Sequence, residues 1–230
     1  MPLPEKSEKP KTGVMPAAYH KQRLERLAPR YRLKRRGDEV IGAIKKYRGG
    51  DALRILDIGA ADGLMLSRIK KEFPGFECSG LEYSPELIAA CQDKEIKLAQ
   101  GDAHCLPFAD NSFDVVIATA IIEHLDRPLE MLDQAYRVLK KGGIIILTTP
   151  NPFFEKIADY LNQFEKDIHQ ETFTLGKLKN YLAKSRFQVL AAKRFMISPI
   201  GLPQEKIIEK ILIFFKLDFI LLNQLAVGKK

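Results

Sequence analysis

The sequence predicts an α/β fold built around a mostly parallel sheet. From residue 53 onward, short apolar runs of strand length alternate with longer amphipathic runs of helical periodicity, a pattern typical of parallel sheets. A glycine-bearing turn, Gly59 to Gly63, joins the first of these strands to the helix that follows it. The chain has 230 residues, of which 46% are hydrophobic, so it is long enough to bury one core.

The first 48 residues are predicted to lie outside the sheet. Residues 1–16 contain four prolines and alternating charges, which predicts a disordered leader. Residues 17–48 predict a basic cap of two helices, broken at Pro29, over a ligand pocket. Residues 1–48 hold 14 Lys or Arg and 5 Asp or Glu, a balance of +9, whereas the other residues hold 23 and 24, a balance of −1. This excess is either a solvated helical face or a surface for an anionic substrate, a phospholipid surface or RNA.

The remaining residues, 49–230, are predicted to form the sheet domain. Apolar runs bounded by turn residues predict strands at 53–58, 77–82, 96–100, 113–119, 143–149, 188–197 and 222–228. Amphipathic periodicity predicts helices at 62–72, 85–93, 129–140 and 174–184.

A helical insertion at about 202–217 separates the last two predicted strands. Its apolar residues recur at helical spacing and its charged residues take the other positions, which predicts an amphipathic helix. Such a helix packs either on the domain or on a second subunit, which would make a homodimer. The alternative is that it forms an apolar lid or a membrane-interface patch for a lipid-like substrate. Peripheral membrane or lipid contact through residues 207–222 is therefore an expectation.

The turn after the first strand predicts a nucleotide-like ligand. Glycines allow close approach of the backbone and positive φ, and the N–H groups that open the following helix attract a polar or negative group. Gly59-Ala60-Ala61-Asp62-Gly63 does not match the spacing of the dinucleotide fingerprint Gly-x-Gly-x-x-Gly. Glu82 ends the second strand about 20 residues later, where a ribose-binding carboxylate is found, and it fits either kind of cofactor.

The later motifs distinguish the two kinds of cofactor. The whole series is Gly59–Gly63, Gly80–Ser84, Gly101–Phe108, Phe113–Ile117, Ile122–Leu125, Val138–Gly143 and Thr148–Pro152. In order and spacing this series resembles the class I S-adenosylmethionine-dependent methyltransferases that act on small molecules, including methyltransferase type 11 and the O-methyltransferases of ubiquinone biosynthesis. The resemblance covers roughly residues 50 to 190. It implies a Rossmann-like sheet of seven strands in the order 3-2-1-4-5-7-6, with helices on both faces and an antiparallel last strand.

The resemblance also implies S-adenosylmethionine as cofactor and assigns residues to it. Gly59, Ala60 and Gly63 would meet the methionine part, with Asp57 orienting the turn or reaching the amino group. The backbone of Thr119 would also meet the methionine part.

Other positions would hold the rest of the cofactor. Glu82 would accept hydrogen bonds from the ribose hydroxyls, since an ionised carboxylate is a pure acceptor. Tyr83 would pack on the adenine, and Asp102 with Ala103 would bind its amino group, although Tyr83 and Ala103 are also explained by simple packing. Arg35 or Arg36 is a candidate partner for the cofactor carboxylate.

Two histidines are candidate general bases. His124 follows the fourth strand, at the edge where such sheets bind ligands, and His169 precedes the helix before the sixth strand. Both positions also fit structural roles. The related ubiquinone-pathway enzymes read Glu-x-x-Glu-His in the loop of His124 and are associated with a divalent metal. Here Ala120 replaces the first glutamate, so no metal site is predicted.

We therefore expect methyl transfer to a small molecule, at oxygen, on a lipid-linked or saccharide acceptor. The alternatives are RNA methylation, which the basic cap favours, and a non-catalytic cofactor-binding protein of the same fold. Nucleic acid is disfavoured because Asn151-Pro152-Phe153-Phe154 follows the fifth strand and lacks a second proline, unlike the motif of nucleic-acid amino-methyltransferases. Three unpaired cysteines, a polar start and short apolar runs predict a cytoplasmic protein.

Overall fold

The structure, a computed structural model, describes residues 18–154 and 170–230. One sheet of seven strands runs through it in the order β3-β2-β1-β4-β5-β7-β6, which confirms the predicted order. The strands are β1 Arg54–Ile58, β2 Glu77–Glu82, β3 Lys97–Gln100, β4 Phe113–Thr119, β5 Leu139–Pro150, β6 Gln188–Phe195 and β7 Asn223–Lys229. The predicted leader, residues 1–16, lies outside the described residues.

The direction of the strands decides where a ligand can bind. Strands β1 to β5 pair in parallel, and β7 lies antiparallel between β5 and β6. Because β7 is antiparallel to both of its neighbours, β6 runs in the same direction as β5. Strands β1, β2, β4, β5 and β6 therefore all end at one edge of the sheet, which we call the carboxyl edge.

Helices cover both faces of the sheet. They are α1 Ala18–Glu25, α2 Leu27–Tyr47, α3 Leu64–Glu72, α4 Pro85–Ala89, α5 Pro128–Val138, α6 Leu175–Lys184 and α7 Glu205–Phe214. Two short 3₁₀ turns, Ile122–His124 and Asp218–Ile220, follow β4 and precede β7.

Alternation along the strands divides the core into two apolar layers. Ile144 and Ile146 of β5 face the layer that contains α2 and α3, whereas Ile145 and Leu147 face the layer that contains α5 and α6. This follows from the two-residue period of a strand, which sends successive side chains to opposite faces. All four of these side chains are fully buried, as expected for a sheet that is covered on both sides.

The cap helices divide at a different residue from the one predicted. The break falls at Arg26, and Pro29 lies within the first turn of α2. Proline is tolerated there because the first N–H groups of a helix have no partner within the helix. The helix therefore begins just before the proline instead of ending at it.

Helix α7 exposes its apolar face and buries its acidic one. Ile207 and Ile211 are about half exposed, at 55% and 51%, while Glu205 and Glu209 are buried at 4% and 7%. Of the open alternatives, packing of the apolar face on the domain is therefore wrong. Among the described residues, no helix combines the length and apolar character that crossing a membrane requires.

The three cysteines are free thiols. Cys78 lies inside β2, and its burial is the main reason that its pKa rises to about 11. A thiol in that state is an inert core residue.

Candidate functional site

The turn after β1 is held against both neighbouring strands at the carboxyl edge. The N–H groups of Gly59 and Ala60 donate to the carbonyl of Leu81 at 2.8 and 3.0 Å, which attaches the turn to β2. Gly59 has a φ of +74°, and a Cβ atom there would lie 2.5 Å from Ile121 Cδ1 in the loop after β4. Glycine is therefore required at this position for two reasons, its backbone conformation and the space available.

Glu82, at the end of β2, also holds the turn against this strand. Its buried carboxylate accepts hydrogen bonds from the N–H of Ala61 at 2.8 Å, of Tyr83 at 2.8 Å and of Ser84 at 3.0 Å. A carboxylate offers about four acceptor sites, so three are occupied and one remains for a ligand hydroxyl. Glu82 thus has a structural role in addition to the predicted binding role.

Asp57 is a buried carboxyl directly beneath the turn. It is 1% exposed, and its Oδ1 accepts no hydrogen bond from the described residues. Burial raises the pKa of Asp57 well above its ordinary value; Arg23 opposes this, while the nearby carboxylates of Glu82 and Asp62 add to it. An ammonium group of a ligand would supply both the missing hydrogen bond and the missing positive charge.

A cavity opens beside the turn, between the ends of β2 and β3. It has a volume of about 490 Å³ and is lined by Tyr83, Ser84, Pro85, Glu86, Gln100, Gly101 and Asp102. Its size suits a small ligand or the base of a nucleoside. The structure therefore brings Tyr83 and Asp102 together around one space, and Glu82 directly precedes Tyr83 in the chain.

The predicted partners of an adenine differ in how their side chains are placed. The side chain of Tyr83 is 41% exposed, whereas Ala103 is 9% exposed and packs in the core layer of α5. Asp102 Oδ1 accepts from the N–H of His104 at 2.9 Å and lies 2.6 Å from its ring Nδ1. The other ring nitrogen of His104 lies 3.2 Å from Asp126 Oδ1. His104 therefore orients Asp102, a role that the sequence did not suggest.

The cap is tied to the glycine turn through Asp62. Arg23 of α1 donates to Asp62 Oδ1 at 2.7 Å, and His20 Nδ1 lies 2.7 Å from Asp62 Oδ2. The Asp62 side chain is completely buried by these contacts. The sequence did not predict these contacts, because His20 and Arg23 lie 42 and 39 positions from Asp62 and no local pattern indicates that they pair.

The loop after β4 also lies at the carboxyl edge of the sheet. Thr119 ends β4 and pairs with Thr148 of β5, and the N–H of Ala120 donates to the Thr148 carbonyl at 2.8 Å. His124 lies half-buried in the following 3₁₀ turn.

The chain that leads into α6 returns to this loop. The N–H groups of Gln170 and Glu171 donate to the Glu123 carbonyl at 2.9 and 3.3 Å. The other predicted base, His169, lies outside the described residues. Within the described part of the chain, His, Cys, Asp and Glu side chains form no group of three that could hold a metal ion.

The two arginines proposed for a cofactor carboxylate bind elsewhere. Arg35 donates to both oxygens of Glu209, at 2.8 and 2.9 Å, and Arg36 donates to Asn223 Oδ1 at 3.0 Å. Both contacts join α2 to the C-terminal part of the chain. Arg23 is the cap arginine that the structure places next to the turn.

Comparison with known proteins shows that the chain is similar to methyltransferases. Residues 56–147 match the family model described as a methyltransferase domain. The chain is 30% identical to a demethylmenaquinone methyltransferase of Chlorobaculum parvum over 151 residues, covering 63% of this chain and 58% of the relative. It is 33% identical to a ubiquinone/menaquinone biosynthesis C-methyltransferase of Dinoroseobacter shibae over 120 residues, covering 47% of this chain and 48% of the relative.

The chain thus spans about half the length of the curated relatives that it matches. Among solved structures, it is similar to an S-adenosylmethionine-dependent methyltransferase of Archaeoglobus fulgidus. The TM-score is 0.63 at 25% identity, covering 86% of this chain and 94% of that one.

Proposed function

We propose that this chain, which belongs to the class I S-adenosylmethionine-dependent methyltransferases, transfers a methyl group from that cofactor to a small lipid-linked acceptor. The observation that carries the proposal is the pair of buried carboxyls, Asp57 and Glu82, on either side of the glycine turn. An open cavity begins at Tyr83, the residue after Glu82. Parallel α/β sheets bind ligands at this edge.

The residues present fit the parts of the cofactor in order. Asp57 would hold the ammonium of the methionine part, because its Oδ1 lacks a hydrogen bond from the described residues. The remaining acceptor site of Glu82 would take a ribose hydroxyl, and Tyr83 and Asp102 would hold the adenine in the cavity. The cofactor supplies an electrophilic methyl on its sulfonium, and the protein's main contribution is to position the acceptor for in-line attack.

The acceptor we propose is a ring that carries a hydroxyl and an apolar chain. Deprotonation of a phenolic hydroxyl activates both its oxygen and the neighbouring ring carbon, so a base is useful for either product. His124 is our candidate base because it lies at the carboxyl edge, in the loop that contacts the glycine turn through Ile121. The relatives' names, which mention demethylmenaquinone and ubiquinone/menaquinone, support an acceptor of this class.

We expect methylation at the oxygen. The name of one relative specifies a C-methyltransferase, so a product methylated at carbon would correct this expectation without removing the proposed acceptor class. Proton and carbon nuclear magnetic resonance of the isolated product distinguishes the two.

Internal pairing of three cap arginines favours a small acceptor over RNA. Arg23 pairs with Asp62, Arg35 with Glu209, and Arg48 with Asp114 at 2.7 Å. Phosphate backbones are bound by exposed, uncommitted cations. We place the protein in the cytoplasm, where S-adenosylmethionine is made.

The first experiment is calorimetric titration of the full chain with S-adenosylhomocysteine, with NADH as the control ligand. Micromolar binding of the former alone is the expected result. Binding of NADH alone would overturn the proposal in favour of a dinucleotide enzyme. Transfer of a labelled methyl group to short-chain hydroquinones then tests turnover; cofactor binding without transfer to any of them would favour a non-catalytic binding protein.

A further inference from the structure

Exposed apolar side chains are concentrated in one region of the molecule. Of the thirteen large apolar side chains that are exposed among the described residues, nine lie between residues 200 and 219. Phe214 is 80% exposed and Phe215 64%, and their ring centroids are 5.1 Å apart. Single exposed apolar residues are ordinary, but a cluster of this kind marks an interaction site. We call the cluster the apolar patch; its members on and after α7 are Ile207, Ile211, Ile213, Phe214, Phe215 and Leu217.

Buried ionic contacts hold this patch outward. On the opposite face of α7, Glu209 receives two hydrogen bonds from Arg35 and one from the N–H of Met196 at 2.8 Å. Glu205 accepts from the N–H of Ile197 at 2.9 Å and from the Tyr31 hydroxyl. Buried carboxylates that are paired in this way are costly to expose, so the helix cannot rotate its apolar face inward without leaving them unpaired.

Because both glutamates of α7 are buried, its exposed charged side chains are all basic. Glu205 and Glu209 are buried, whereas Lys206, Lys210 and Lys216 are exposed. The outward surface of α7 and the residues just after it therefore combines apolar side chains with three ammonium groups, and it carries none of the carboxylates of the helix. This composition is complementary to anionic lipid headgroups above an apolar interior.

The patch also lies at the edge of the sheet that contains the candidate site. Strand β6 ends at the carboxyl edge and β7 begins there, so the intervening residues 196–222 lie at that edge. Asn151, just after β5, donates to the carbonyls of Phe219 and Leu221 at 2.8 and 2.7 Å. The ring of Phe153 packs against Phe219 at 5.8 Å. Apolar surface thus continues from α7 to the end of β5, which is next to β4 and the loop that contains His124.

We propose that the apolar patch docks on the surface of an anionic lipid bilayer. Docked there, the protein presents its carboxyl edge to the membrane, where an acceptor with an apolar chain resides; in this respect the inference rests on the proposed function. A second copy of the chain fits less well as the occupant. Twofold pairing of the patch would bring lysines against lysines, because the carboxylates that could pair with them are buried.

Vesicle flotation of the full chain tests the inference. Phosphatidylcholine vesicles containing about a third phosphatidylglycerol are compared with pure phosphatidylcholine vesicles. The wild type should float with the former, and Phe214→Ser/Phe215→Ser should lower its partition coefficient about tenfold or more. Because both rings are exposed, this variant should keep the wild-type melting temperature and affinity for S-adenosylhomocysteine.

A charge-matched pair of variants separates docking from general electrostatics. Lys206→Glu/Lys210→Glu should lose binding to anionic vesicles about tenfold or more. Lys94→Glu/Lys97→Glu makes the same change in net charge near β3, the outermost strand on the side of the sheet away from β6. This variant should bind almost as the wild type does. Equal losses in the two variants would overturn the inference.

Two further results would also overturn it. One is a wild type that stays with the unbound fraction in both vesicle preparations. The other is a dimer in analytical ultracentrifugation that Phe214→Ser/Phe215→Ser dissociates, because the patch would then be covered by a second copy. In either case, retained binding of S-adenosylhomocysteine and methyl transfer to a water-soluble hydroquinone would leave the proposed function intact. Vesicle binding without cofactor binding would contradict the proposed function alone.

Discussion

At the scale of single residues, the buried carboxyl of Asp57 lowers the stability of the folded protein and offers a binding partner to a ligand. Its carboxyl is buried in β1, and its Oδ1 has no hydrogen bond from the described residues. Burial raises its pKa, with Arg23 only partly compensating. Groups that are poorly satisfied in the folded protein cluster at functional sites, where a ligand completes them.

Replacing Asp57 by Asn should stabilise the protein at neutral pH and weaken cofactor binding. Because the pKa of Asp57 is raised on folding, the folded state retains a proton that the unfolded chain has lost. The free energy of unfolding therefore falls as pH rises from the ordinary carboxyl value through the folded one. Asp57→Asn should remove this slope, add about 1–3 kcal/mol at neutral pH and weaken S-adenosylhomocysteine binding by a similar amount. Urea denaturation across pH and calorimetry measure the two effects.

Asp114 is a control for Asp57, because the pKa of its carboxyl is shifted in the opposite direction. Burial alone would raise the pKa of this carboxyl, but Lys140, the N–H of Arg54 and Arg48 together lower it. Its contribution to stability is therefore present above the ordinary carboxyl pKa and is lost as pH falls. Asp114→Asn should destabilise the protein at neutral pH. The interpretation of Asp57 fails if its Asn variant behaves in the same way.

Glu82 and Asp102 should each contribute to cofactor affinity. Glu82→Ala and Asp102→Ala are expected to weaken binding of S-adenosylhomocysteine by about 1–3 kcal/mol, the usual scale for losing a buried hydrogen-bonded group. Glu82→Gln keeps the side-chain volume next to the Ala61 N–H and tests binding with less disturbance of the turn. Glu86 lines the same cavity, so Glu86→Ala serves as the control. Wild-type affinity in both alanine variants would refute the assignment of the pocket.

His124 and His104 should have different kinetic effects. If His124 is the base, His124→Ala lowers turnover about 10²- to 10⁴-fold and leaves affinity for S-adenosylhomocysteine unchanged. His104 contacts Asp102 instead, so His104→Ala should mainly weaken cofactor binding. Steady-state kinetics with calorimetry separates the two effects, and unchanged turnover in His124→Ala would assign that residue to the scaffold.

At the scale of elements, the strands were predicted more closely than the cap or the insertion. The second and fourth strands have the predicted bounds, because apolar runs ending in Glu82 and Thr119 are bounded by clear turn residues. The break in the cap fell at Arg26 because a proline near the start of a helix and one that ends a helix give the same local pattern. The orientation of α7 depends on Arg35, which lies 174 residues from Glu209, and periodicity along one helix carries no such information.

The docking of α1 on the glycine turn should depend on Asp62. Asp62→Asn removes the carboxylate that Arg23 and His20 of α1 contact at 2.7 Å, so α1 should open locally while the sheet stays folded. Hydrogen exchange measured by mass spectrometry should show protection in residues 18–25 falling by about 1–3 kcal/mol. Glu25→Gln changes an exposed charge on the same helix and should leave exchange unchanged. Unaltered protection in Asp62→Asn would mean that α1 is held by other contacts.

At the scale of the whole molecule, the sheet order brings the candidate site and the apolar patch to one edge. The resemblance of the motifs predicted this order together with the positions of Asp57, Glu82 and Asp102 in the site. It did not predict the tie of Asp62 to the cap or the pairing of His104 with Asp102. The contacts of Asp62 join residues 42 and 39 positions apart, so they follow only from the assembled fold. The contact of His104 spans only two residues and depends on the orientation of the histidine ring.

The ion pair between α2 and α7, which joins residues 174 positions apart, predicts strong coupling between two single variants. Arg35 and Glu209 are both buried, and removing either one alone would take away the shortest charged contact of the other. Arg35→Met and Glu209→Met should therefore each lower the free energy of unfolding by about 3–5 kcal/mol, whereas the double variant should lose clearly less than their sum. Urea denaturation of the four proteins gives the coupling energy, with Lys45→Met and Glu72→Met, an exposed pair, as the control cycle. Additive losses would show that packing, and not the buried ion pair, fixes α7 with its apolar face outward.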